Sequence, residues 1–296
     1  MSKKLNTLSD LWYEAGGLIQ KTPSLLFPLS IVAFLEGLML ELLYFAPRPP
    51  LNAILLPPIK RFFKEWVTHY PAYLFFLPKL FDYGQVLLYI FIGGILTAVT
   101  VVLTASASDQ RPLSFSAALK KVRSRLFTLI LVSFLMMMLL GVITGREVAF
   151  FKWVGKLFVT HPFPGRGILL QILGLLWRMI PYLNFFIAIA VQTFLVFIFP
   201  LMVLENKKLF PAIGRSVMLG WQHFRRLFSL LLLPMLCYSP IWFLKNTPSL
   251  LVRKTLYPEM IIWMFGIGIV ATLLVDTFVA VSVTLFFLRV KHEKSS

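Results

Sequence analysis

Long apolar runs constrain this chain more than any other feature, because about 20 consecutive apolar residues are enough to cross the hydrocarbon core of a bilayer. Basic or proline-containing segments separate the runs. The apolar runs predict six transmembrane helices, at about residues 24–45, 84–107, 126–145, 182–204, 227–244 and 260–288. Residues 51–83 contain no run of that length and are predicted as a surface helix and loop. With 58% hydrophobic residues in 296, the chain cannot bury its apolar surface in one soluble core.

The segment from Phe194 to Pro234 shows how the runs are connected. One apolar run ends at Leu204, an amphipathic basic segment covers 207–226, and the next run begins at Leu227. This order predicts a crossing, a helix lying in the membrane interface and a second crossing. Similar amphipathic segments occupy residues 9–21 and 109–125, and Ser114 is placed to cap the second of them.

A spacing of about one hundred residues predicts an internal repeat. Leu-Phe pairs at 26–27, 126–127 and 227–228 begin three of the crossings, and 125–129 (Arg-Leu-Phe-Thr-Leu) nearly matches 226–230 (Arg-Leu-Phe-Ser-Leu). We infer three units, about 9–108, 109–205 and 206–290, each an interface helix followed by two crossings. They form a single all-α membrane domain over 1–296. The alternative is that any six-crossing protein alternates crossings and loops, so part of this regularity arises without duplication.

The charge balance favours anionic lipid as a partner. The chain has 29 Lys and Arg against 12 Asp and Glu, and its basic clusters adjoin apolar runs instead of forming a patch on a soluble module. We therefore expect anionic phospholipids and no nucleic acid as partners. The residues expected at lipid headgroups are Arg111, Lys120, Lys121, Arg125, Lys207, Lys208, Arg215, Arg225 and Arg226. Alternatively, these side chains only anchor their helices by reaching out of the apolar layer.

An even number of crossings places both termini on one side of the membrane. That side carries 16 of the 29 basic residues and the opposite side carries 13. Because the side with more Lys and Arg faces the cytoplasm in most membrane proteins, this small excess favours cytoplasmic termini.

Four polar residues within the apolar runs fall at one depth. At ~1.5 Å per residue, Glu36, Gln192 and Asp276 each lie ~18–20 Å from the same membrane face, and Thr97 joins that level. An ionised carboxylate at this depth costs at least ~2.5 kcal/mol, so the two acidic residues require an explanation. They form either a proton or substrate site, or a structural layer of neutral carboxyls hydrogen-bonded between helices.

The sequence gives no support for catalysis, a metal or another cofactor. Cys237 is the only cysteine, the four histidines have no ligand spacing, and no nucleophile or phosphate-binding motif is present. We therefore expect a protein that is not an enzyme.

The Phe194–Pro234 segment resembles the membrane domain found ahead of some bacterial glycerophosphodiester phosphodiesterases, and related six-span inner-membrane proteins of unknown function. The resemblance rests on Pro200, Glu205, Ala212, the Arg215-Ser216 pair and Gly220. It implies an all-helical prokaryotic inner-membrane protein, in which Pro200, Glu205, Arg215 and Ser216 are motif residues of unknown role. It carries over no catalytic residue. Locally, Glu205 is placed to cap the helix that follows it.

Two functions are compatible with these features. The first is lipid handling in the cell envelope, or a scaffold for a membrane protein partner or a second copy of the chain. The second is transport of a small solute or lipid through the polar layer, since transporters often combine internal repeats with polar sites at the midplane.

Overall fold

The computed structural model describes residues 7–63, 69, 72–111, 113–142, 182–246 and 259–295. These residues form helices and connecting turns, with no strand among them. The predicted all-α helical bundle is confirmed.

Twelve α-helices follow one another along the described ranges. They are α1 (Leu8–Lys21), α2 (Phe27–Phe45), α3 (Asn52–Phe63), α4 (Ala72–Leu88), α5 (Gly94–Ser108), α6 (Phe115–Arg123), α7 (Leu126–Val142), α8 (182–195), α9 (Ile198–Val203), α10 (Leu209–Gln222), α11 (Phe224–Asn246) and α12 (Met260–Ser295). A short 3-10 helix, Pro23–Leu25, joins α1 to α2, and a π-helical turn, Tyr89–Gly93, joins α4 to α5.

Among the residues that the structure describes, five helical segments are long and apolar enough to cross a membrane: Phe27–Phe45, Tyr73–Ser108, Tyr182–Val203, Phe224–Ile241 and Met260–Lys291. Helices α6 and α7 reach that length and hydropathy only when they are taken together, and an 83° bend separates them. The bend falls between the predicted interface helix and the predicted third crossing. Residues 143–145, the predicted end of that crossing, lie outside the described residues.

The second crossing begins earlier than the sequence predicts. Helix α4 starts at Ala72 and continues through the π turn into α5, so the predicted loop before residue 84 is partly helix. Pro78 lies inside α4 and removes one backbone hydrogen bond without ending the helix. The segment Tyr73–Ser108 has 36 residues, a length of ~54 Å at ~1.5 Å per residue. It therefore exceeds the ~30 Å hydrocarbon core.

The three amphipathic segments are helices, each followed by one of the apolar helices. Their buried residues include Leu11 and Ala15 on α1, Ala118 and Val122 on α6, and Ala212 and Leu219 on α10. The side chain of Ser114 accepts a hydrogen bond from the amide of Ala117, at 3.3 Å, so its predicted role as a helix cap is confirmed. Duplication of a three-part unit stays a prediction.

Two apolar clusters form the core, and the acidic residues lie between them. The larger cluster draws on α1, α5 to α12 and the 3-10 helix, and the smaller one joins α2, α3, α4 and the first part of α12. On α12, Asp276 lies between Ile269 of the smaller cluster and Val281 of the larger. On α2, Glu36 comes just before Leu40 of the smaller cluster. The two acidic residues of the predicted polar layer therefore lie near the boundary between the two apolar clusters.

The first and last described helices meet at one end of the bundle. Helix α1 packs against α12, and the carboxylate of Glu14 forms an ion pair with the guanidinium of Arg289. Among the described residues, counting α6 and α7 as one bent segment gives six candidate crossings. An even number is compatible with the contact between α1 and α12.

Candidate functional site

Glu36 is held by a side chain from the neighbouring crossing. The amide nitrogen Nε2 of Gln85 on α4 donates a hydrogen bond to Oε1 of Glu36, at 2.9 Å. Glu36 is only 8% exposed, although it lies on a helix whose other faces are largely open. A buried carboxyl needs such a partner, because leaving it without one would cost several times the free energy of an ordinary hydrogen bond.

A π-helical turn places Tyr89 beside these residues. The amide of Gly94 donates to the carbonyl of Tyr89, five residues earlier, so the turn holds one residue more than an α-helical turn. A Cβ atom at Gly93 would lie 2.7 Å from a ring carbon of Tyr89, so a side chain there would displace the ring. The turn and the glycine together fix the direction in which Tyr89 points.

A small cavity brings the two acidic residues to the same space. It has a volume of about 30 Å³, and its lining includes Glu36 from α2, Tyr89 from the π turn, and Thr272 and Asp276 from α12. This volume is enough for one or two water molecules. Polar groups from three crossings therefore surround one small space.

A larger cavity opens on the other side of Tyr89 and Asp276. Its volume is about 240 Å³, and both of these residues line it. Thr97 of α5 and Gln192 of α8 complete its polar part, and the hydroxyl of Thr97 also donates to the carbonyl of Gly93, at 2.8 Å. The remaining walls are apolar and come from α2, α5, α7, α9, α11, α12 and the turn before α9. The cavity is thus polar at one part and apolar over most of its surface.

The four residues predicted to form a polar layer are divided between the two cavities, and Asp276 lines both. Thr97, Gln192 and Asp276 line the larger cavity, and Glu36 and Asp276 line the smaller one. Gln85 and Tyr89 were not predicted from the sequence to belong to this site. Both are polar residues in the apolar run of the second crossing, four positions apart, and this spacing could have placed them on the face that carries Thr97.

The basic residues predicted at lipid headgroups divide into two groups. Six have exposed side chains: Arg111, Lys120, Lys121, Lys208, Arg225 and Arg226. The other three are partly buried and contact the protein itself. Arg125 donates to the carbonyl oxygens of Lys207 and Asn206, at 2.7 and 3.0 Å, which joins the start of α7 to the loop before α10.

Glu205 was predicted to cap the helix that follows it. In the structure it pairs with basic side chains instead. Its carboxylate lies 3.4 Å from Nζ of Lys207 and 4.0 Å from the guanidinium of Arg215. Helix α10 begins after Lys208, and no side chain caps that end. The left-handed backbone of Asn206, with φ at 60°, turns the chain between Glu205 and the helix, and this turn directs the carboxylate towards Arg215 on α10 instead.

Ser216 connects α10 to the broken fourth crossing. Its hydroxyl donates to the carbonyl of Phe194, at 2.7 Å, and accepts from the amide of Phe197, at 3.2 Å. The break lies between α8 and α9, next to Pro200, which has no amide hydrogen to continue the helical pattern. Ser216 therefore provides partners for backbone groups at the break.

Gly220, one turn further along α10, permits this close contact. A Cβ atom there would lie 2.8 Å from both the Cα of Phe194 and the carbonyl oxygen of Thr193. Both are backbone atoms, so displacing them would be energetically unfavourable. The residues that carry the resemblance thus form a joint between an amphipathic helix and a crossing. Among the residues described, no group of three His, Cys, Asp or Glu could hold a metal ion.

These features define an all-α membrane protein whose crossings enclose a partly polar cavity. No protein-family model, curated protein or solved structure matches the chain.

Proposed function

We propose that this chain is a non-enzymatic protein of the prokaryotic inner membrane that handles lipid, by holding one amphipathic chain in the larger cavity. The observation that carries the proposal is the cavity itself, with apolar walls from the crossings and a polar part formed by Tyr89, Thr97, Gln192 and Asp276. An amphipathic molecule matches both parts. The resemblance to the membrane domain of bacterial glycerophosphodiester phosphodiesterases supports the same location and supplies no catalytic residue.

The volume of the cavity limits what it holds. Sites for drug-sized ligands enclose ~300–1,000 Å³, whereas this cavity has about 240 Å³. One hydrocarbon chain or a small amphiphile therefore fits better than a whole two-chain phospholipid. Met136, Met137 and Met235 line the cavity, and their flexible side chains can adjust to chains of different shape.

The polar part favours a ligand that donates hydrogen bonds. Asp276 provides carboxyl oxygens, Gln192 an amide and Tyr89 a hydroxyl, and no Lys or Arg belongs to the lining that the structure describes. A hydroxyl or amine at the end of the chain satisfies these acceptors, while a carboxylate or phosphate would face Asp276 with no basic partner.

The test fills the cavity with a larger side chain. Val279→Phe introduces a ring into the lining of the cavity, and Val270→Phe makes the same change on an exposed position of the same helix. Dodecanol binding is measured by native mass spectrometry of the purified protein. We expect wild type and Val270→Phe to retain dodecanol and Val279→Phe to lose it. Equal retention by the two variants, both folded, would contradict the proposal.

A transport function is the second candidate, because Asp276 lines two separate cavities and shares one of them with Glu36. A carboxyl between two spaces is suited to pass a proton or a solute from one to the other. Proteoliposomes containing a pH-sensitive dye distinguish the two functions. A proton-coupled transporter predicts a flux that Glu36→Gln and Asp276→Asn abolish without loss of stability, whereas a lipid-binding protein predicts no flux in the wild type.

A scaffold function gives the same fold a different partner. We propose anionic phospholipids as partners of the exposed basic residues, outside the cavity. A membrane protein or a second copy of the chain would be the partner of a scaffold. Cross-linking in native membranes measures this directly: a scaffold yields a discrete complex at endogenous expression, and a lipid-binding protein yields the single chain.

A further inference from the structure

A second pocket lies at the junction of α10 and α11, away from the cavity among the crossings. It has a volume of about 800 Å³ and is lined by Ala190, Phe194, Trp221, Gln222, His223, Phe224, Arg225 and Arg226. We call it the elbow pocket. Two arginines and no acidic residue contribute to this lining, so the pocket has the opposite charge character from the cavity beside Asp276.

Aromatic rings form one wall of the elbow pocket. The ring of Phe194 stacks on Trp221, with centroids 6.2 Å apart, and on Phe224, with centroids 5.5 Å apart. Trp221 is nevertheless 75% exposed. Exposed tryptophans next to a crossing are enriched at the level of lipid headgroups, where an apolar ring meets both chain and water. The aromatic wall can therefore contact the part of a lipid chain that lies next to the headgroup.

The arginines of the pocket differ from a closely matched arginine elsewhere in the chain. When the segments Arg-Leu-Phe-Thr-Leu and Arg-Leu-Phe-Ser-Leu are aligned, Arg125 corresponds to Arg226. Arg125 donates to the carbonyl oxygens of Asn206 and Lys207. Arg225 and Arg226 make no hydrogen bond or ion pair with any residue that the structure describes. Their donors therefore face the pocket and solvent, where oxygen acceptors from a ligand can reach them.

We propose that the elbow pocket binds the headgroup phosphate of an anionic phospholipid, with Arg225 and Arg226 on the phosphate oxygens and the lipid chain against Phe194, Trp221 and Phe224. Guanidinium groups bind phosphate by paired, charge-assisted hydrogen bonds. A lipid satisfies both halves of the pocket, the basic and the aromatic, whereas free phosphate satisfies only the first. The proposal is independent of the function assigned to the cavity.

The experiment compares two pairs of adjacent basic residues. Arg225→Gln with Arg226→Gln removes both charges from the pocket, and Lys60→Gln with Arg61→Gln removes two charges from exposed positions of α3. Phosphatidylglycerol and phosphatidylcholine are titrated onto each purified protein, and adducts are counted by native mass spectrometry. All four substituted side chains are exposed, so melting temperatures should stay near that of the wild type.

We expect the arginine pair to weaken phosphatidylglycerol binding about 30-fold, equivalent to about 2 kcal/mol for two basic groups at a lipid surface. The α3 pair should weaken it much less. Trp221→Ala should also weaken phosphatidylglycerol binding, because it removes a ring that contacts the lipid chain. Equal losses in the two pairs would overturn the site. Equal binding of phosphatidylcholine by wild type, whose phosphate charge is balanced by choline, would overturn the preference for an anionic lipid. Displacement of phosphatidylglycerol by millimolar inorganic phosphate would overturn the choice of a lipid as the ligand.

Discussion

Ser216 shows how one side chain stabilises a helix that proline has interrupted. It bonds to the carbonyl of Phe194 and the amide of Phe197 at the same time, and it comes from a different helix. The sequence marked Ser216 as part of a motif but gave no role, because its partners are about twenty residues away. Gln85 and Glu36 are a second such pair, joined across two crossings, and only coordinates could show that contact.

Replacing Ser216 by alanine should therefore destabilise the protein. The change leaves a buried carbonyl and a buried amide without their side-chain partner, which costs about 1–3 kcal/mol. Unfolding in detergent, followed by tryptophan fluorescence, measures the loss. Ser24→Ala, at an exposed serine, is the control. If the two variants unfold at the same denaturant concentration, the bridge contributes nothing.

Helix α10 illustrates what hydropathy can and cannot predict for an element. Its alternation of apolar and basic positions was enough to predict an amphipathic helix between two crossings. Its contact with the fourth crossing depends on Gly220, whose missing side chain lets backbone approach backbone. The early start of the second crossing was not predicted, because Pro78, Lys79 and Asp82 lower the local hydropathy. Contacts with other helices keep this segment helical.

Two glycines of α10 should respond in opposite ways to substitution by alanine. Gly220→Ala places a methyl group 2.8 Å from backbone atoms of Thr193 and Phe194 and should cost about 1–3 kcal/mol. Gly214→Ala meets no described atom within 4 Å and should stabilise the helix by about 0.5–1 kcal/mol. The same unfolding assay compares them. Destabilisation of equal size in both variants would contradict the close contact.

The arrangement of the whole molecule follows from the apolar runs, which the sequence shows directly. Hydropathy indicated the crossings because a long apolar segment in lipid can satisfy all of its backbone hydrogen bonds within itself as a helix. Their lateral order is set by side-chain contacts that are distant in sequence, such as the ion pair of Glu14 with Arg289. The sequence could therefore place the polar residues at one depth, but it could not show which of them share a cavity.

Both ends of the chain should lie on the same side of the membrane. Helices α1 and α12 meet at one end of the bundle, and the small excess of basic residues favours the cytoplasmic side. Reporter proteins fused separately to each end measure this: a fluorescent protein active in the cytoplasm and a phosphatase active outside it. Opposite results for the two ends would remove the bent pair α6 and α7 from the count of crossings.

The additional residue in the Tyr89–Gly93 turn has a mechanical consequence. Each residue of an α-helix turns the chain by about 100°, so conversion of this turn to ordinary helix would rotate everything before it by about that angle. Gln85 would swing away from Glu36, and the Tyr89 ring would leave the boundary that it shares with Asp276. An ordinary helical turn would therefore remove Tyr89 from the lining that the two cavities share.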